Sequence, residues 1–105
     1  MTLTAEFHPH ALNELRIARQ WYEQIQPELG RQFAAHVARA VESVLENPMM
    51  YAAAIQNIRR MPIYPFPYHI YYEVFADRLR FFGVFHSHRN PATISEQIAG
   101  RKSQF

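Results

Sequence analysis

The sequence predicts an α+β domain: an N-terminal strand, then an antiparallel helix hairpin packed on a small, antiparallel-rich sheet. Two observations carry this. Up to Glu46, apolar side chains recur at spacings of three and four. After Asn57 the chain is dense in β-branched and aromatic residues, punctuated by Pro62, Pro65 and Pro67. Helices segregated in sequence from strands make an α+β domain, with the hairpin across one sheet face and the other face left partly open.

The elements follow in order. "TLTAEF" (Thr2–Phe7) reads as a short strand ending at "HPH", where Pro9 suits the first turn of a helix. Leu12, Leu15, Ala18, Tyr22 and Ile25 then form one helical face, widened by Ile17 and Trp21. "QPELG" interrupts it, and Pro27 opens a second helix whose stripe is Leu29, Phe33, Val37, Ala40, Val41 and Val44. "ENP" ends that helix, because the residue before a proline is pushed out of the helical region. The mixed charges outside these stripes, Glu14, Arg16, Arg19, Glu23, Arg31, Arg39, Glu42 and Glu46, read as a solvated surface.

"NIRRMPI" (Asn57–Ile63) reads as a strand, followed by a proline-rich loop or edge. "YHIYYEVFADRLRFFGVFH" is two strands split at Ala76-Asp77, apolar at nearly every position and so central in the sheet. For the tail from Asn90, a strand end, a short helix and a loose arm all remain open, and residues 91–105 are expected to be the flexible part of a single domain spanning 1–105.

A chain of 105 residues without cysteine has neither a disulfide framework nor a thiolate metal site, and suits a reducing cytoplasm. The N-terminus lacks the basic start and apolar run of a secretory signal, and no apolar run reaches the length of a membrane span. Ten of the eleven basic residues are arginine, which favours carboxylate or phosphate partners.

Chemistry is sparse. His86-x-His88 and His8-x-His10 each offer half a metal site without a third ligand nearby, so no metal and no cofactor is expected. Three glycines and four unflanked serines exclude the usual phosphate loops and nucleophile elbows. What remains is a basic and aromatic set: Arg59, Arg60, His69, Arg80, His86, His88 and Arg89, interleaved with Tyr64, Tyr68, Tyr71 and Tyr72. Such a set can hold RNA, and histidines with arginines can cleave it. On chemistry alone the plainer account is preferred, with core or edge tyrosines and arginines that solubilise the sheet rim.

The order of these motifs resembles a known family. "RRMPIYPFPYHIYYEVFADRLRFFGVFHSHRNP" is similar to the C-terminal half of RelE/ParE-superfamily toxins. Those share an arginine-bearing strand (here Arg59-Arg60), an aromatic-proline-tyrosine segment ("FPYHIYY"), a tight hairpin at Ala76-Asp77, and a strand ending in H-x-x-R (His86–Arg89). The resemblance implies the toxin of a type II toxin–antitoxin, or plasmid stabilisation, module, bound and neutralised by a cognate antitoxin. It also implies one of two targets: DNA gyrase in the ParE-like branch, or messenger RNA on the ribosome in the RelE-like branch.

For RelE-like ribonuclease chemistry the resemblance implies Arg60, His69, His86 and Arg89 as the catalytic candidates, with gaps. A second expected lysine falls near Pro62, His69 stands where an arginine is expected, and no tyrosine follows Tyr72. The ParE-like branch fits better, and a non-toxic binding domain on the same fold is the third reading. The ParE-like branch implies that Arg59, Arg60, Tyr68, Arg80, His86, His88 and Arg89 contact gyrase or the antitoxin.

Overall fold

A computed structural model describes residues 3–105. The chain begins with β1 (Thr4–Phe7) and turns at once into α1 (Pro9–Ile25). His8 makes that turn possible. Its backbone is extended, its ring Nδ1 accepts from the His10 N–H at 3.0 Å, and Pro9 supplies a preset first helical residue. A single extended residue, Gln26, separates α1 from α2 (Pro27–Glu46), so the two helices can only fold back on each other. Asn47 ends α2 just before Pro48, as the "ENP" signal predicts.

Four more strands follow: β2 (Ala53–Ile55), β3 (Ile58–Pro62), β4 (Tyr68–Val74) and β5 (Arg78–His86). The sheet order is β1-β5-β4-β3-β2. All pairings are antiparallel except β1 with β5, which run parallel, with the helix hairpin and β2, β3 and β4 between them in the chain. The sheet is therefore mixed, and β2 is a strand that the sequence pattern does not announce, since "AAI" has no alternation to read. A short turn at Gln56-Asn57 joins β2 to β3, and Gln56 has a φ of 51°.

The register of β4 against β5 explains the unbroken apolar run in β5. Tyr72 faces Phe81 and Tyr71 faces Gly83, so Phe82 is the extra residue of a bulge. Before the bulge, Leu79 and Phe81 point toward α1 and α2. Beyond it the alternation is reset, so that Val84 joins them while Phe82 and Phe85 point to the other face. The main core lies between the helix hairpin and the sheet, where Phe33, Val37 and Val44 meet Met61, Ile70 and Tyr72.

The opposite face is not left open along its length. Residues Pro91–Arg101 form α3, started by the Asn90 side chain accepting from the Ala92 N–H at 2.8 Å. Ile94 and Ile98 from α3 cover Ile58, Tyr71, Phe82 and Phe85. Of the possibilities that the sequence leaves for the tail, the helix is the one observed. Its apolar spacing is only two strong residues long, too short to stand out as a pattern.

Candidate functional site

Cross-strand partners share a face of the sheet, and this sorts the predicted residues. Arg60 lies opposite Tyr71 and His69 opposite Phe85, which places both on the α3 side. Together with Arg89 they line a cleft of about 180 Å³ between β2, β4 and the start of α3. Ser87, Tyr71 and Ser95 complete its walls. Neither Arg60 nor Arg89 forms an ion pair among the described residues; the Arg89 guanidinium instead sits 5.6 Å above the Phe85 ring centre.

His69 is half-buried in this group. Burial, then the Arg60 charge and His86, hold its imidazole below the ordinary histidine range. At neutral pH it is therefore neutral, able to accept a proton but not to add a charge. No carboxylate lines the cleft to serve as the proton donor that a ribonuclease would need. On the opposite, helix-side face, burial pushes the Tyr68 and Tyr72 phenols up.

His86 is on the other side. It faces Tyr68 across the strands, with ring centres 5.4 Å apart, and lines a 280 Å³ groove with Ile17, Trp21, Tyr22 and Pro67 from α1 and the loop. The fourth member of the ribonuclease set is thus separated by the sheet from Arg60, His69 and Arg89. His88 continues from His86: its backbone N–H donates to His86 Nδ1 at 3.1 Å and the two rings lie 5.3 Å apart.

Two predicted contact residues are tied into the fold. Arg59 points to the helix side and donates to the Tyr51 carbonyl at 2.6 Å. Arg80 lies at the far end of β5, bonded to Glu6 at 2.8 Å and placed over the Phe75 and Phe105 rings. Tyr68 is half-buried against Tyr22 and Phe33. His8, with His10 beside it, caps α1, and its Nε2 donates to Gln104 Oε1 at 3.1 Å; burial lowers its pKa.

Two readings of the sequence are corrected here. Leu12 and Ile25 do not belong to the buried face of α1, and Ile17 and Trp21 do not widen it; Leu12 is 53% exposed. Ile17, Trp21 and Ile25 form an outward stripe, each more than half exposed (52%, 57% and 58%), while Ala18 and Tyr22 face inward. Their four-residue spacing matches the buried stripe, so only the packing distinguishes them. Glu14 is not a surface charge either, for it pairs with the buried Arg101. Its signal in sequence was nil, because its partner lies on another helix.

The comparisons with known proteins agree with this architecture. A family model described as "ParE toxin of type II toxin-antitoxin system, parDE" matches residues 5–91, from β1 to the first residue of α3. No curated protein matches the chain. Among solved structures, a chain of the chromosomal ParDE system of P. aeruginosa superposes with a TM-score of 0.70 at 11% identity, covering 81% of this chain and 96% of that one. A mutant of the E. coli toxin RelE in the free state superposes with a TM-score of 0.65 at 16% identity, covering 100% of this chain and 99% of that one. At such identities the two structures speak for the RelE/ParE-like fold alone, whereas the family model speaks for descent: the chain belongs to the ParE toxin family of type II toxin–antitoxin systems.

Proposed function

We propose that this toxin acts on DNA gyrase in the ParE manner, in the cytoplasm, and is held inactive there by a cognate antitoxin. The observation that carries this reading is the match to the ParE toxin family over residues 5–91. Membership in that family implies an antitoxin partner. Among the described residues no helix is long and apolar enough to cross a membrane, which agrees with a diffusible protein.

The geometry of the sheet supports the gyrase reading over a RelE-type ribonuclease. In-line cleavage of RNA needs a base, a proton donor and cations around one phosphate. Arg60, His69 and Arg89 share a cleft, but His86 opens onto the opposite groove. No tyrosine follows Tyr72 to act as the missing donor. The alternatives are a ribosome-dependent mRNA endoribonuclease, for which Arg60, His69 and Arg89 share the cleft while His86 lies apart, and a non-toxic binding domain on the same fold.

One pair of assays separates these. Purified toxin is added to a gyrase supercoiling reaction and, separately, to ribosomes programmed with mRNA. Inhibition of supercoiling with intact mRNA is expected. Site-specific mRNA cleavage with unimpaired supercoiling would replace the gyrase reading by the ribonuclease one, and unimpaired growth on induced expression without an antitoxin would argue against both.

A further inference from the structure

A surface helix ordinarily carries its charges on the side away from the core. α1 does not. Its outward side presents Ile17, Trp21 and Ile25 at four-residue spacing, each more than half exposed. Beside them Asn13, Gln20 and Gln24 are exposed, and none of the three carries a charge. The four charged residues of α1 are directed elsewhere. Glu14 pairs with Arg101 and Arg19 with Glu23, while Arg16 and Arg19 line the 240 Å³ cavity between α1 and α2.

The patch continues past the helix. Ile17 and Trp21 wall one side of the groove that Pro67, Tyr68 and His86 complete. Trp21 is propped edge-on against Tyr22, with ring centres 5.3 Å apart. Three half-exposed apolar side chains of this size offer on the order of 400 Å² per copy. The amide rim, with Pro67 and His86, brings the patch near the roughly 800 Å² that each partner gives to a stable interface. An aromatic centre, a core depleted of charge and a polar rim is the anatomy of such an interface.

We propose that this face of α1 pairs two copies of the chain, antiparallel about a two-fold axis at Trp21. The stripe reads the same in both directions: isoleucine, tryptophan, isoleucine. A two-fold therefore sets Ile17 of each copy against Ile25 of the other. Ridges of four-residue spacing lie alongside each other when two helices cross at about −50°. The rim is self-complementary as well. A glutamine amide both donates and accepts, so Gln20 of one copy matches Gln24 of the other. A rim of one charge sign would repel its own copy and mark a partner of the opposite sign. This proposal does not depend on gyrase being the target.

Sedimentation equilibrium of the full chain tests this. As concentration rises, the weight-average mass is expected to climb from 12.4 kDa toward twice that value and stop there. Without a charged anchor the interface is weak, so half-dissociation is expected at about 10–300 µM. Trp21→Glu sets like charges on the axis and should weaken pairing by about thirtyfold or more. Two double variants fix the direction. Ile17→Lys with Ile25→Glu should still pair, because the two-fold sets opposite charges together, whereas Ile17→Lys with Ile25→Lys should stay monomeric. Both alter the same exposed positions, so a loss of folding cannot mimic the contrast. A monomer up to about 1 mM would leave the face to a foreign helix and overturn the proposal. So would dimers indifferent to Trp21→Glu, double variants that behave alike, or a mass rising past the dimer.

Discussion

Arg101 at the end of α3 and Glu14 in the second turn of α1 grip each other around the edge of β5, with N–O distances of 2.7 and 3.0 Å. β1 has ended at Phe7, and beyond it these two side chains serve the strand in its place. Glu14 Oε1 accepts from the Val84 N–H at 2.9 Å and Arg101 donates to the Phe82 carbonyl at 2.9 Å. The pair thus ties together the helix layers on the two faces of the sheet. Removing Arg101 leaves the partly buried Glu14 carboxylate with the Val84 N–H but no counter-charge, and takes the guanidinium donor from the Phe82 carbonyl. Arg101→Ala is expected to cost about 3 kcal/mol in urea unfolding. A loss below about 0.5 kcal/mol, the level of an ordinary surface change, would show that the clasp contributes little.

Gly83 sits in the same place. A Cβ there would meet the Phe85 ring at 2.5 Å and Arg101 Nη1 at 2.6 Å. Gly83→Ala should therefore act through the clasp, by pushing the guanidinium off Glu14 and Phe82. Its cost is expected near about 1–3 kcal/mol. In combination with Arg101→Ala the two costs should fall short of their sum, because one of the two obstructed groups is already gone. Full additivity in denaturant midpoints would contradict that coupling.

These two residues also show what a single sequence can reveal. The first two helices, the central hairpin and the rim histidines announce themselves through period, proline and turn chemistry, all local signals. Glu14 and Arg101 are 87 positions apart and meet beside the β5 bulge at Phe82, a contact that only the tertiary fold creates. The bulge likewise explains why Phe81, Phe82, Val84 and Phe85 are all apolar, a pattern that no single period describes. In the candidate site, Arg60, His69 and Arg89 could be named from the sequence. Their separation from His86 could not, since strand register decides which face each side chain takes.

Acid should destabilise the fold through His8. Its ring is buried, and its Nδ1 accepts from the His10 N–H, so the folded state favours the neutral form and the pKa lies below 6.5. The unfolded chain binds the proton more readily. Stability from this source is thus complete above about pH 6.5 and declines as pH falls through the folded pKa. His69 shifts in the same direction, by burial and the Arg60 charge, and adds to the slope. His8→Asn keeps a capping acceptor for α1 and removes the titration. The variant is expected to lose less stability than wild type between about pH 7.5 and about pH 5.5 in urea melts. Parallel wild-type and variant pH profiles would refute the assignment to His8.

Gln56 is the described non-glycine residue with positive φ, at 51° in the turn from β2 to β3. Asparagine tolerates this left-handed region better than glutamine. Gln56→Asn is therefore expected to raise stability, by up to about 0.5–1 kcal/mol. The substitution also removes the weak contact at 3.4 Å to Lys102 Nζ, which is exposed and should cost little. A lower urea midpoint for the variant would mean that this contact outweighs the turn geometry.

The two faces of the sheet make a last prediction about toxicity. Residues that act on one reacting group fail together, so removing a second costs little once the first is gone. His86 opens onto the α1 groove and Arg60 onto the α3-side cleft. A toxin that works by surface contact should therefore respond to His86→Ala and Arg60→Ala independently. In a titrated-expression growth assay, the double variant's loss of toxicity is expected to equal the product of the two single losses. Both side chains are exposed, so each single change should leave the urea midpoint within about 0.5 kcal/mol of wild type. If the double variant is no weaker than the worse single one, the two groups serve one reaction, and that result would favour the ribonuclease over the gyrase inhibitor.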